Sequence, residues 1–240
     1  MLYAYSNKYN YIIGWSAKCG CSLFRKLFFT LHEDELKQRP LLLHHTLDID
    51  FPLPTKINSP NQFVSYKHIV LCRNPYKRAV SMFTNKICGK NNILHSKVPM
   101  KTITFRNFIY GLKYLKEKNS PIFYHIHISP QSHNFKKYEY TTILKLEEFF
   151  EKITTVYTDL GLFCLLPQII KFLDEIQSKK RPYNQTIKNN ETEFICDKEY
   201  PIETTEFPQY EYFYDEELVE LVYDLYKDDF ENFGYQKYEI

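Results

Sequence analysis

The fold is decided by the stretch Tyr11-Ile-Ile-Gly-Trp-Ser-Ala-Lys-Cys-Gly-Cys-Ser-Leu-Phe-Arg-Lys-Leu-Phe28. Its apolar start predicts a strand, Gly20 marks a tight loop, and apolar residues at helical spacing from Ser22 onward predict a helix. A strand, a glycine-containing loop and a helix together direct backbone N–H groups and the positive end of a helix toward one point. We therefore expect an anion-binding loop, with Lys18 as a positive charge and Ser22 as helix N-cap and hydroxyl donor. An ordinary strand-to-helix turn is the alternative.

Outward from this stretch, short apolar runs alternate with helical patterns. Strands are predicted at residues 11–13, 41–45, 67–72 and 141–146. Helices are predicted at residues 22–31, 75–86, 105–115, 147–160, 167–176 and 215–234. This alternation predicts one α/β domain over residues 1–240, with a central, mostly parallel sheet flanked by helices. Ligands bind such sheets beyond the carboxyl ends of the strands.

The charge distribution places the predicted anion-binding loop in the basic part of the chain. The net charge of the 240 residues is only +2, but residues 1–140 contribute +14 and residues 141–240 contribute −12. The small total argues against a nucleic-acid-binding protein, whereas the local excess suits a small anionic ligand. Two oppositely charged surfaces that keep the protein soluble, or that pack together, would give the same asymmetry.

The cysteines and the absence of long apolar runs indicate in which cellular compartment the protein is expected. Six cysteines without zinc-ligand spacing predict free thiols in a reducing environment. No metal is expected, although a metal or redox site stays open at Cys19, Cys21 and Cys72, which would meet if their loops share one sheet edge. The sequence has no signal peptide and no apolar run long enough to cross a bilayer, which predicts a soluble, cytoplasmic protein without a membrane span.

A second strand-to-helix turn has the sequence Arg73-Asn-Pro-Tyr-Lys-Arg-Ala-Val-Ser81. Arg73 can form paired hydrogen bonds to a phosphate, and Pro75 suits the first turn of a helix. Ser81 lies two turns into that helix, on the side of Lys77. Two anion sites on one sheet edge predict a ligand with phosphates at both ends of a nucleoside. A salt bridge is the alternative role of Arg73.

Both turns resemble signature segments of the sulfotransferases, and the carbohydrate branch in particular. Lys18-Cys-Gly-Cys-Ser22 resembles the pattern K-[SC]-G-T-[TS], and the turn at 73–81 resembles R-[DN]-P-x-x-R-x-x-S. Four further segments resemble family patterns in the same order along the chain: His127-Ile-Ser-Pro-Gln131, Ile143-Leu-Lys-Leu-Glu147, Tyr183-Asn-Gln-Thr186 and Leu225-Tyr-Lys-Asp-Asp-Phe-Glu-Asn-Phe-Gly234. The chain departs from the patterns at Ala17, Cys21 and Tyr183, where proline, threonine and histidine are usual.

The resemblance implies a P-loop-like three-layer α/β sandwich that uses the donor 3′-phosphoadenosine-5′-phosphosulfate (PAPS) and needs no metal. The acceptor would be a hydroxyl group, most simply of a glycan. The first loop would hold the phosphosulfate through Lys18, Cys19, Gly20, Cys21 and Ser22. The 3′-phosphate would be held by Arg73, by Ser81 and by Arg181, which otherwise belongs to a solvated run of charge.

Lys18 is the first predicted catalytic residue, and two histidines are candidates for the general base. His45 ends a predicted strand, and His127 opens the H-x-x-P-Q segment. Two other functions stay open. A P-loop phosphotransferase would need G-x-x-x-x-G-K-[ST], but here the lysine precedes the second glycine. A non-catalytic relative could keep the fold and bind only the nucleotide or an acidic glycan.

Overall fold

The computed structural model describes residues 2–37, 65–90, 92–134, 142–178 and 195–237. These residues form two compact units. The first unit draws on Met1–Cys72 and Asn134–Lys180, and the second on Arg73–His133 and Arg181–Ile240. The strands are β1 Leu2–Ser6, β2 Tyr11–Trp15, β3 Lys67–Cys72 and β4 Thr142–Lys145. The α-helices are α1 Cys21–Lys37, α2 Pro75–Met82, α3 Phe105–Glu117, α4 Phe149–Asp159, α5 Leu166–Ser178, α6 Glu216–Leu225 and α7 Lys227–Phe233.

The sheet of the first unit has the strand order β1-β2-β3-β4. Strands β2, β3 and β4 are parallel, with Ile13 opposite Ile69 and Leu71 opposite Leu144. Every residue of β2 is buried, as expected for a strand covered on both faces. The predicted α/β class with a mostly parallel sheet is therefore confirmed, and β3 has the predicted bounds.

Strand β1 was not predicted, because residues 1–10 look like a polar and aromatic lead into the sheet. The strand pairs antiparallel with β2, and Ser6 lies opposite Tyr11. Its alternation is visible in the structure, where Ala4 and Ser6 are buried. Asn10 has a φ of 51° in the connecting turn, a left-handed conformation that asparagine tolerates better than most residues.

Helix α1 packs against β1 and α5, and α4 packs against β4 and α5. In the core of this unit the rings of Phe24 and Phe149 meet edge to face, with centroids 5.2 Å apart. Helix α1 is longer than predicted and is interrupted at His32, whose φ of −128° is not helical. The buried His32 ring is hydrogen-bonded to the hydroxyl of Tyr11.

In the second unit, α2 continues into a π-helical turn over Phe83–Ile87, and α6 packs against both α2 and α3. The single helix predicted at 215–234 is wrong in one respect, because the chain leaves helical geometry at Tyr226 (φ −121°, ψ 25°) and forms α6 and α7. Asp215 caps α6 as predicted, since its side chain accepts a hydrogen bond from the Leu218 amide at 2.9 Å.

Several predictions lie outside the described residues. They are the strand at 41–45, Arg181 with its run of charge, and the segment at 183–186. No helix in the described part of the chain is both long and apolar enough to cross a membrane.

Candidate active site

The first turn connects β2 to α1 through residues 16–20. Lys18 and Gly20 have φ values of 70° and 80°, so two residues of this short loop are left-handed. The Phe24 amide donates to the Gly20 carbonyl at 3.0 Å, which is the first rung of the helix. Gly20 therefore holds the N-cap position. The prediction that Ser22 is the N-cap is wrong, since Ser22 lies exposed inside the first helical turn.

This loop combines left-handed residues with a helix start, as anion-binding turns do. The first amides of a helix have no partner within the helix, and those of Cys21 and Ser22 precede the first rung. Left-handed residues within a short loop turn successive N–H groups toward one side. Lys18, half-buried beside them, adds the cation that such a site uses for a phosphate or sulfate.

Glycine is favoured at position 20, where the loop meets the helix. A Cβ atom at Gly20 would lie 2.6 Å from Cδ1 of Leu146, in addition to the strain of a positive φ. Leu146 begins the short 3₁₀ turn that follows β4. The loop thus passes close to a side chain from the turn after β4, and this contact gives a packing reason for a glycine at position 20.

The two cysteines of the loop point their thiols at the protein's own backbone. Cys19 is fully buried, with its sulfur 3.8 Å from the Ala17 carbonyl. The Cys21 thiol donates to the Ser16 carbonyl at 3.4 Å. The Cys19 N–H also donates to the Ser16 carbonyl at 3.3 Å, so both the amide and the thiol of Cys19 are bonded within the loop. All six cysteines are free thiols, as predicted.

The second turn directly follows β3, the parallel neighbour of β2. Asn74 caps α2, because its Oδ1 accepts hydrogen bonds from the amides of Tyr76 at 2.9 Å and Lys77 at 3.3 Å. Pro75 occupies the first helical position, where its missing N–H costs nothing. Arg73 and Ser81 are both half-buried, so their side chains retain access to solvent.

The H-x-x-P-Q segment is attached to this turn by its glutamine. The Gln131 side chain is buried, and its Oε1 accepts from the Arg73 amide at 2.9 Å while its Nε2 donates to the Arg73 carbonyl at 2.8 Å. The carboxylate of Asp229 in α7 in turn accepts from the amides of Gln131 and Ser132. Sequence reasoning missed Gln131 and Asp229 as site residues, although both lie in segments that carry the family resemblance.

The second arginine of the turn is structural. Arg78 is buried, and its Nη2 donates to the carbonyls of Ser129 at 3.0 Å and His127 at 3.3 Å. Burial raises the pKa of Asp229, and the positive charge of Arg78 opposes that rise. Arg78 thus binds the histidine segment to α2 and faces a buried carboxylate rather than a ligand.

His127 has its backbone fixed by Arg78 and its ring stacked on His125, with centroids 5.3 Å apart. Burial lowers the pKa of His125, and the nearby cations Lys97 and Lys86 lower it further. The role of His127 as general base stays a prediction. The predicted sites His45 and Arg181 lie outside the described residues.

Metal ligation is not suggested by the described part of the chain, which includes Cys19, Cys21 and Cys72. There, no three side chains of the types His, Cys, Asp and Glu come together as a candidate metal site.

A glycine loop that leads from a buried parallel strand into a helix, followed by a capped turn after the next strand, defines an α/β protein with a loop suited to a phosphate or sulfate group. The sequence model of the sulfotransferase family matches residues 3–236. The chain therefore belongs to the sulfotransferase family, and the carbohydrate branch is consistent with that membership. No curated protein and no solved structure matches the chain.

Proposed function

We propose that this protein transfers a sulfuryl group from PAPS to a hydroxyl group of a carbohydrate. Membership of the sulfotransferase family supports sulfuryl transfer in general. The observation that carries the proposal is the loop from Lys18 to Ser22, where a lysine and a glycine in left-handed conformation precede the first rung of α1. This arrangement favours a sulfotransferase over the phosphotransferase alternative, whose lysine would follow the second glycine.

The first loop would bind the phosphosulfate end of the donor. During transfer the bond between sulfur and the bridging oxygen breaks, a bond from sulfur to the acceptor oxygen forms, and negative charge develops on the oxygen that leaves with the 5′-phosphate. The Lys18 cation and the amides of Gly20, Cys21 and Ser22 would stabilise that charge from a backbone that the folded loop already fixes. Cys19 would contribute by shaping the loop, because its amide donates to the Ser16 carbonyl.

The second turn would bind the 3′-phosphate of the donor. Arg73 supplies a fork of N–H donors suited to phosphate oxygens, and Ser81 supplies a hydroxyl from the second turn of α2. Arg181 would add a third contact. Arg73 and Ser81 are both partly exposed, which supports this role because a ligand must be able to reach them.

The acceptor hydroxyl must lose its proton as the new bond forms, so a general base is required. His45 and His127 are the candidates, and the comparison of His45→Ala with His127→Ala at saturating donor separates them. The variant that lowers kcat identifies the base. If neither variant lowers kcat, another residue accepts the proton.

The proposal is tested with the whole chain, PAPS and a panel of glycan acceptors, with the sulfated product detected by mass. We expect a sulfated glycan and tight calorimetric binding of adenosine 3′,5′-bisphosphate, and we expect transfer to persist in a metal chelator. Binding of the nucleotide without transfer to any acceptor would indicate a non-catalytic relative. Phosphate transfer that depends on magnesium would support the phosphotransferase instead.

A further inference from the structure

We infer that Gln131 and Asp229 are positioning residues that fix the conformation of Arg73 and thereby set the preference for nucleotides with a 3′-phosphate. The inference rests on the proposed function, because it takes Arg73 as the residue that meets this phosphate. Neither residue would touch the donor. Both would act through the backbone of Arg73.

Gln131 and Arg73 are joined by a double hydrogen bond. The carboxamide accepts from the Arg73 N–H at 2.9 Å and donates to the Arg73 C=O at 2.8 Å. Two bonds to both polar groups of one residue restrict φ and ψ together, as a neighbouring strand would. Arg73 comes directly after β3, so the glutamine side chain extends the pairing of that strand by one residue.

The carboxylate of Asp229 orients the side chain of Gln131. Oδ2 of Asp229 accepts from the Gln131 amide at 2.8 Å and from its Nε2 at 3.2 Å, and Asp229 is fully buried. A carboxylate accepts hydrogen bonds from this nitrogen but has nothing to offer the carboxamide oxygen. Asp229 therefore determines which end of the Gln131 side chain faces the Arg73 N–H.

The contact that fixes Arg73 is distinct from the contact that caps the following helix. Helix α2 has its own cap, since Asn74 satisfies the amides of Tyr76 and Lys77. The start of the helix thus does not need Gln131. What the glutamine adds is a fixed backbone at Arg73, whose guanidinium can then meet a phosphate with less loss of conformational entropy.

The test compares two probes, adenosine 3′,5′-bisphosphate and adenosine 5′-phosphate, by calorimetry on the full chain. The wild type should prefer the bisphosphate. Gln131→Met fills a similar volume without hydrogen bonds, and we expect it to lower this preference about tenfold by weakening bisphosphate binding alone. Gln131→Asn retains a buried amide but is one methylene too short, and it serves if the methionine variant does not fold. Gln209→Met, at an exposed glutamine of the same unit, is the matched control.

A double-mutant cycle and hydrogen exchange give further readouts. With Arg73→Ala already present, Gln131→Met should cause no additional loss, because both changes act through one side chain. Exchange of the Arg73 amide should become faster in Gln131→Met, since its acceptor is lost. Asp229→Asn should likewise cause no additional loss in the Arg73→Ala background. It should also make the Arg73 amide exchange faster, but by less than Gln131→Met does.

The outcomes distinguish the inference from the proposed function. A wild type that prefers the bisphosphate, with a glutamine variant that keeps this preference, overturns the inference and leaves the function standing. Equal weakening of both nucleotides in the glutamine variant also overturns it, because that result marks a purely structural contact. A wild type that binds the two probes equally, or binds neither, overturns the proposed role of Arg73 and the inference with it.

Discussion

The two strand-to-helix turns are built in different ways. The turn after β2 is shaped by its own backbone, with Lys18 and Gly20 in left-handed conformation and the Cys21 thiol bonded within the loop. The turn after β3 is held by side chains from far along the sequence, above all Gln131 and Asp229. The same topological element can therefore be fixed by its own residues alone or by tertiary contacts as well, and only the local part of each turn is readable in a short motif.

The largest expected effect is on kcat, and it distinguishes the role of Lys18 in the first turn from that of Arg73 in the second. If Lys18 has the proposed role, Lys18→Ala should lower kcat about 10²–10³-fold, because its cation would stabilise charge that develops only during transfer. Arg73→Ala should instead raise the KM for the donor with little change in kcat, because it removes binding that is equal in ground and transition states. Steady-state kinetics with varied PAPS measure both. Lys8→Ala, at an exposed lysine of the first unit, is the control and should leave both constants unchanged. Wild-type turnover in Lys18→Ala would disprove the role of Lys18.

A second comparison tests how tightly the first turn is built. Gly20→Ala should lower the free energy of unfolding by about 3 kcal/mol, because it combines left-handed strain with a clash against Leu146. Gly161→Ala is the matched control. Its φ is 68°, but a Cβ there would lie 3.6 Å from Lys67 Nζ, so only the strain of about 1–2 kcal/mol remains. Urea denaturation measures both variants.

The double variant Gly20→Ala/Leu146→Ala identifies the source of that loss. If the clash contributes as stated, the second substitution should cost less in the Gly20→Ala background than in the wild type. Strictly additive losses would show that Leu146 is not the obstacle, and that backbone strain accounts for the effect.

The smallest expected effect on donor binding concerns Arg106, which serves as a control for Arg73 within the second unit. Arg106 is bound by the carboxylates of Asp197, Asp215 and Glu217. Arg106→Met should lower the melting temperature at pH 7 and leave donor affinity unchanged. Donor binding that weakens as much as in Arg73→Ala would contradict the assignment of the 3′-phosphate to Arg73.

The stability effect of Arg106 should depend on pH. The hydrogen bond from Arg106 holds the pKa of Asp197 below its usual value. A carboxyl with a lowered folded pKa contributes stability above its unfolded pKa of about 4, and this contribution is lost as pH falls through the folded value. The difference in melting temperature between Arg106→Met and the wild type should therefore shrink below about pH 4. Lys113→Met, at an exposed residue of α3, provides the control.

Sequence reasoning was accurate where a pattern is local. The apolar run of β3 gave the bounds Lys67–Cys72, and Asp215 marked the start of α6. It failed where tertiary contacts decide. Strand β1 is stabilised by pairing with β2 rather than by its own composition, and the break at Tyr226 interrupts a pattern that is helical on both sides.

In the candidate site, too, local features could be predicted from the sequence and tertiary contacts could not. The Lys18 loop was recognisable from its residues, and its helix start was misplaced by only one or two positions. The Gln131–Asp229 pair spans 98 residues of sequence, and no periodicity or spacing rule joins two such positions. Glutamine and aspartate also have many roles in short motifs, so only their burial and mutual hydrogen bonds distinguish them here.

The left-handed φ of Lys18 has a consequence for reading related sequences. A lysine in that conformation costs about 1–2 kcal/mol, which glycine would avoid and asparagine would reduce. Glycine would be the more stable choice at this position, and the proposed sulfuryl transfer accounts for the lysine through its ammonium group. Under the proposed function, a relative with glycine or asparagine at this position and the rest of the loop intact should bind the nucleotide without transferring a sulfuryl group.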